Sequence, residues 1–148
     1  MKILGIIGLA AIALVACGHA EPKGESGPTG DPDFPNDYRQ WHQVNDQTIV
    51  REDEGVAREI FANPQGDLGP GTVLVKEQYR YDGGAKGPLE FVGVMRRTGT
   101  GEAGGWSFQA FDPTTRQLLG KDSTACVGCH TLQADSDYLF SDRSALTR

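Results

Sequence analysis

The chain has 148 residues and a formal net charge of −6, with 14 Lys and Arg set against 20 Asp and Glu. No basic run relieves this balance, which argues against nucleic acid as a partner, because phosphate binding needs a clustered Lys/Arg surface. Hydrophobic residues make up 38%. Much of that share lies at the N-terminus, so the remaining domain would gain from a bound apolar group that joins its core.

In chain order, Lys2 is followed by an uncharged apolar stretch from Ile3 to Ala16. That is short of the roughly 20 residues needed to span a bilayer. One positive charge and a short apolar region have the layout of a secretory signal, here residues 1–16. The tetrapeptide Leu14-Val15-Ala16-Cys17 resembles a bacterial lipobox, which makes Cys17 the expected lipidation site. An ordinary signal peptide with an incidental Cys17 is the other reading. Acyl chains contribute roughly 0.8 kcal/mol per buried methylene, so the expected product is held by its lipid alone. It would face the periplasm from the bacterial cell envelope, on the outer membrane. Residues 17–33, rich in Gly, Pro and charge, read as a tether with a reach of roughly 20 Å; His19 falls within it.

Residues 34–148 are enough for one domain. Pro35-Asn36-Asp37 reads as a helix start, with Tyr38, Trp41 and Val44 at helical spacing. VAREIFA (56–62) reads as a short strand. GTVLVKEQYRY (71–81) alternates, with Val73, Val75, Glu77, Tyr79 and Tyr81 on one face and Thr72, Leu74, Lys76 and Gln78 on the other. LEFVGVMRR (89–97) follows the turn DGGAKGP, and so short a connection implies antiparallel pairing. This strand would put Leu89, Phe91, Gly93 and Met95 on one face. WSFQAF (106–111) is a fourth strand, and the chain turns helical from Ser123. The expected class is α+β, a predominantly antiparallel sheet with flanking helices.

Cys126-Val127-Gly128-Cys129-His130 carries the strongest chemical signal. A c-type haem needs two thiols placed to add to its two vinyl groups and an imidazole beside the second thiol to reach the iron. A thioredoxin-like pair would need a βαβ context, which is missing. A zinc site would need a fourth ligand and usually a second CxxC or HxxxH element. A plain disulfide would leave His130 without a role. One covalent haem with His130 as axial iron ligand, together with an acylated Cys17, accounts for all three cysteines.

The other face of the iron decides the function. An electron-transfer cytochrome fills it with Met or His. The mature chain offers Met95, His42, His19 and, less conventionally, Lys76. A methionine placed like Met95 is more often core filler than a ligand, and His42 reads more readily as a partly exposed polar residue. This scarcity favours an open or weakly held sixth position.

The order FPNDYRQW, REIFAN, GTVLVKE, WSFQAF, CVGCH and DSDYLF, spread over residues 34–140, resembles the cytochrome P-460 family, which includes the related cytochromes c′-beta. The resemblance implies a largely antiparallel β fold holding one five-coordinate c-type haem, commonly as a homodimer. It also implies chemistry on hydroxylamine or nitric oxide, with electrons passing to a periplasmic acceptor. In hydroxylamine-oxidising members a lysine of the motif resembling GTVLVKE is cross-linked to the haem edge. Here that position is Lys76, which otherwise reads as a solvated strand lysine. Those members also use a distal carboxylate as proton acceptor. Laid against the corresponding strand, FVGVM places Met95 at that position, where a thioether cannot act as a base. Met95 would then narrow an apolar distal pocket, capped by Phe61 or Phe91, which favours a neutral diatomic ligand. Arg39 is a candidate partner for a haem propionate, with a surface ion pair as the other reading.

Three functions follow. The first is an oxidoreductase acting on hydroxylamine or nitric oxide, and the second a nitric oxide binder without turnover. The third is a six-coordinate electron carrier with Met95 as distal ligand.

Overall fold

The computed structural model describes residues 30–63, 67–100 and 102–147. The expected signal segment 1–16, Cys17 and His19 lie outside the described residues. No described helix is long and apolar enough to cross a membrane.

Among the described residues seven strands form one antiparallel sheet: β1 (His42–Gln43), β2 (Ile49–Arg51), β3 (Val56–Ala62), β4 (Val73–Asp82), β5 (Ala85–Arg97), β6 (Trp106–Phe111) and β7 (Leu118–Lys121). Their order is β1-β3-β4-β5-β6-β7, and β2 shares the outer edge of β3 with β1. Two short helices, α1 (Thr124–Thr131) and α2 (Arg143–Leu146), follow the sheet. The α+β expectation holds, with almost all of the regular structure in strands.

The hairpin of β4 and β5 is the longest element pair. Asp82 pairs with Ala85, so Gly83 and Gly84 alone make the turn. Both have positive φ, 57° and 87°, a conformation that glycine adopts without steric cost and that matches the twist of a two-residue hairpin. Strand β5 therefore begins well before residue 89, because the glycines do the turning and Ala85 to Pro88 are free to pair.

Each face of the sheet carries its own core. On one face Phe34, Tyr38, Phe61, Val75, Val92, Val94 and Phe111 pack together, and the segment before β1 covers them. On the other, Ala62, Leu74, Trp106 and Phe108 pack with Val44, Leu68, Leu139 and Leu146. Helix α1 and the C-terminal segment cover this second face, with Cys126, Val127 and Tyr138 against the cluster. Strict alternation along β4 makes the division.

Two expectations need correction. The segment after Asp37 is no helix: a single 3-10 turn covers Tyr38–Gln40, and β1 begins at His42. Tyr38 and Val44, expected on one helical face, lie in opposite cores, because the turn ends at Trp41 and the chain runs on as β1, so the two share no common face. The second concerns Leu89. A register shift between Gln78 and Tyr79 pairs Gln78 with Phe91 but Tyr79 with Leu89. The extra residue, Glu90, reverses the phase of the strand, so Leu89 packs in the core opposite Gly93 and Met95.

Candidate functional site

The CVGCH motif forms most of α1. Ser123 caps the helix, its hydroxyl accepting from the Cys126 amide. Cys126 and Cys129 are free thiols, three residues apart and so on neighbouring positions of one helical face. Among the described residues no group of three or more His, Cys, Asp or Glu side chains could hold a metal ion.

His130 ends the motif and is held from three directions. Its Nδ1–H donates to the Tyr138 carbonyl at 2.7 Å, so Nε2 carries the free lone pair and is the atom available to a metal. Phe108 lies tilted against the ring at 4.7 Å, and Phe140 meets it edge-on at 5.1 Å. Burial pushes the imidazole below its usual pKa; the Tyr138 carbonyl opposes this, and the charge of Lys76 adds to it. At neutral pH the ring is uncharged, the form that ligates metal.

The loop that supplies Tyr138 is itself tied to the sheet. Asp137 pairs with Arg97 at 2.7 Å and with Arg143 at 3.5 Å. The Trp106 indole donates to the Asp137 carbonyl at 3.0 Å. Asp137 and Tyr138 both take positive φ, 57° and 64°, an uncommon conformation for residues with a Cβ, and these ties hold them in it. Gly104 leaves room for the Tyr138 ring: a Cβ there would stand 2.5 Å from Cε2.

The sheet beside α1 is laid out in rows. Ala62, Leu74, Met95 and Phe108 lie side by side across β3 to β6. The next row is Ile60, Lys76, Gly93 and Ala110. Beyond it come Arg58, Gln78 and Phe91. Lys76 is half-buried, with Nζ 5.0 Å from the Phe91 ring centre and 3.4 Å from Gln78 Oε1. Burial lowers its pKa and nearby Arg58 lowers it further, while the sulfurs of Cys126 and Cys129 act in the opposite sense. Lys76 thus lies on the sheet face that α1 covers, one row from Leu74 and Met95. Gly93, directly opposite Lys76, contributes no side chain.

Several candidates from the sequence fall elsewhere. Phe61, proposed as an aromatic cap, pairs with Val75 and is buried in the opposite core beside Tyr38, because odd and even positions of β3 face different layers. Phe91 alone of the two reaches the Lys76 side. Arg39 also belongs to the opposite face, where it pairs with Glu77 at 2.6 Å. Glu77 is 1% exposed and accepts from Tyr38, Tyr79 and Arg39. His42 contacts the Ala145 carbonyl through Nε2 at 3.1 Å. Met95 is part of the packing beneath α1, one row away from Gly93.

The residues fit a haem. Two thiols and an imidazole with a free Nε2 lie together on α1, beside a sheet face whose middle row is opened by Gly93. Phe140 remains 60% exposed although it touches His130, and Arg58 has a buried Nε without a hydrogen-bond partner. Both are groups that a bound macrocycle with carboxylate arms could satisfy.

A family model described as Cytochrome P460 matches residues 35–141. The chain belongs to that family, as the order of its motifs implied, and the family carries haem. No curated protein and no solved structure gave a match.

Proposed function

We propose that this protein is an exported, lipid-anchored c-type cytochrome with one haem bound through Cys126 and Cys129 and ligated by His130. Its iron keeps an open position for a small nitrogen ligand. Lys76 lies at the haem edge, and Phe91 flanks the ligand space. Nitric oxide binding is the activity that the residues support best.

The observation that carries this reading is the composition of the row holding Lys76. Its neighbours are Ile60, Gly93 and Ala110, none of which can ligate iron or accept a proton. Glu77, the carboxylate next in sequence to Lys76, is buried on the other side of the sheet and already has three donors. Hydroxylamine oxidation needs a base close to the bound nitrogen; this row holds no carboxylate, and its one basic group, Lys76, is assigned in this reading to the haem edge. A neutral diatomic ligand makes no such demand.

A haem held by Cys126, Cys129 and His130 would supply an iron able to bind a small ligand and to exchange electrons. The chain does the rest. Tyr138 fixes the tautomer of His130 and aims Nε2; Phe108 and Phe140 fix the plane of the ring; Gly93 leaves space, and Phe91 keeps it apolar.

The test is nitric oxide titration of the ferrous protein, matured in a host that attaches c-type haem, with hydroxylamine turnover measured in parallel. Tight nitrosyl formation with negligible turnover is expected. Sustained turnover of hydroxylamine would overturn the binding reading in favour of oxidation. A six-coordinate low-spin iron that resists nitric oxide would instead favour Met95 as ligand and electron transfer.

A further inference from the structure

A second cation lies next to Lys76. Arg58 stands on β3 two residues before Ile60 and opposite Gln78, in the row that also holds Phe91 and that continues to Ile49 of β2. Its guanidinium is divided. One outer nitrogen, Nη2, pairs with Glu54 at the rim, whereas Nε is buried and has no hydrogen-bond partner. Glu54 is shared with Arg51 at 3.2 Å, so each of its two oxygens already pairs with an outer guanidinium nitrogen. A buried donor without an acceptor is costly to keep, so a ligand that brings an acceptor to this point is strongly favoured there.

The position along the strand says which acceptor. Ala62, four residues further on, belongs to the cluster against which Cys126 packs. At roughly 3.3 Å per residue, Arg58 lies roughly 13 Å from that point, a span comparable with the width of a tetrapyrrole. Thioethers form on the half of the macrocycle that bears the vinyl groups, and the two carboxylates hang from the other half. Lys76 lies between these ends, close enough to feel both the Arg58 cation and the two cysteine sulfurs. Arg39, the candidate named from sequence for this task, is committed to Glu77 on the opposite face.

We propose that Arg58 is the anchor of a haem carboxylate, its buried Nε donating to that group while Glu54 holds the outer nitrogen. The inference rests on the haem reading above and adds the residue that fixes the far edge of the cofactor. A guanidinium suits the task because its donors lie in one plane and can serve two carboxylates at once. The cation also offsets the carboxylate charge near the iron, so it raises the reduction potential.

The experiment compares wild type, Arg58→Leu, Arg58→Lys and Glu54→Gln, all matured with haem. It reads the carboxylate-bending band in resonance Raman spectra and the midpoint potential. Arg58→Leu is expected to move the band towards the position of an unbonded carboxylate and to lower the potential. Arg58→Lys should restore part of both, and Glu54→Gln should leave the band in place, since Nε is untouched. An Arg58→Leu protein with covalent haem, an unmoved band and an unchanged potential would overturn the proposal. So would a shift confined to the stretching band of bound nitric oxide, which would turn Arg58 towards the iron ligand instead. Absence of haem from the wild type would bring down the haem reading itself, a result separable from the others.

Discussion

Gly104→Ala strains the loop that aims His130, and the structure gives its size in two parts. The backbone at Gly104 has φ 65° and ψ 20°, and an alanine there costs about 1–2 kcal/mol relative to glycine. The new Cβ would stand 2.5 Å from Tyr138 Cε2 and 2.8 Å from Cδ2, closer than carbon atoms pack. Relieving such an overlap costs about 1–3 kcal/mol, so the total is about 2–5 kcal/mol. A double-mutant cycle separates the two parts. In a Tyr138→Ala background the ring is gone, and Gly104→Ala should cost only the backbone share, about 1–2 kcal/mol. Denaturant unfolding of the four haem-loaded proteins measures the coupling. The iron–histidine stretching band should move in Gly104→Ala, because displacing Tyr138 disturbs the carbonyl that holds Nδ1. Equal costs for Gly104→Ala in both backgrounds would refute the claim that Tyr138 meets the added methyl.

Three further outcomes are expected. Burial alone would raise the pKa of Glu77, but hydrogen bonds from Tyr38, Tyr79 and Arg39 outweigh it and hold the carboxyl below its usual range. Its contribution to stability is therefore complete above the unfolded value and lost as pH falls through the folded one. Glu77→Gln should cost about 2 kcal/mol at neutral pH and flatten the acid limb of an unfolding profile; parallel limbs would contradict this. Gly93→Phe should leave haem attached and lower nitric oxide affinity about tenfold, the equivalent of roughly 1.4 kcal/mol of overpacking, as stopped-flow binding and release rates would show. Met95→Leu nearly conserves volume and should cost less than about 1.5 kcal/mol while leaving the ferric spectrum high-spin, because Met95 packs beneath α1. A large change in that spectrum would make Met95 an iron ligand.

The strands were legible wherever alternation ran unbroken. Val56–Ala62 and Trp106–Phe111 stand at the boundaries that the pattern gives, and the alternation of β4 separates Lys76 from Glu77. The pattern failed where phase changes without a composition signal. The bulge at Glu90 reverses Leu89, and Gly87-Pro88 just before it read as the end of the turn rather than as the mark of a bulge inside a strand. Strand β7 was missed because Leu118–Lys121 is short and contains a glycine, and β1 because two residues cannot show a period. The first segment reads as helical because Tyr38, Trp41 and Val44 coincide with a helical spacing that extended backbone around a single turn also satisfies.

At the site, local chemistry was readable and lateral position was not. CVGCH lies in the helix expected from Ser123 onward. The role of the Tyr138 carbonyl is invisible in sequence, since any residue offers a carbonyl; the positive φ of Asp137 and Tyr138 is what brings it to His130. Arg58 and Gly93 gave no signal because their meaning comes from register, from facing Gln78 and Lys76 across the sheet. Phe61 and Arg39 were misplaced for the complementary reason. Aromatic and cationic character made them suitable, and the phase of their own segments turned them away.

The absorption spectrum of the protein matured with haem, recorded ferric and ferrous, tests the central claim most directly. An open iron beside an apolar ligand space predicts a high-spin ferric spectrum that nitric oxide converts to a nitrosyl form on reduction. A low-spin spectrum with a methionine-to-iron charge-transfer band would contradict it, because the sixth position would then be filled from within the chain.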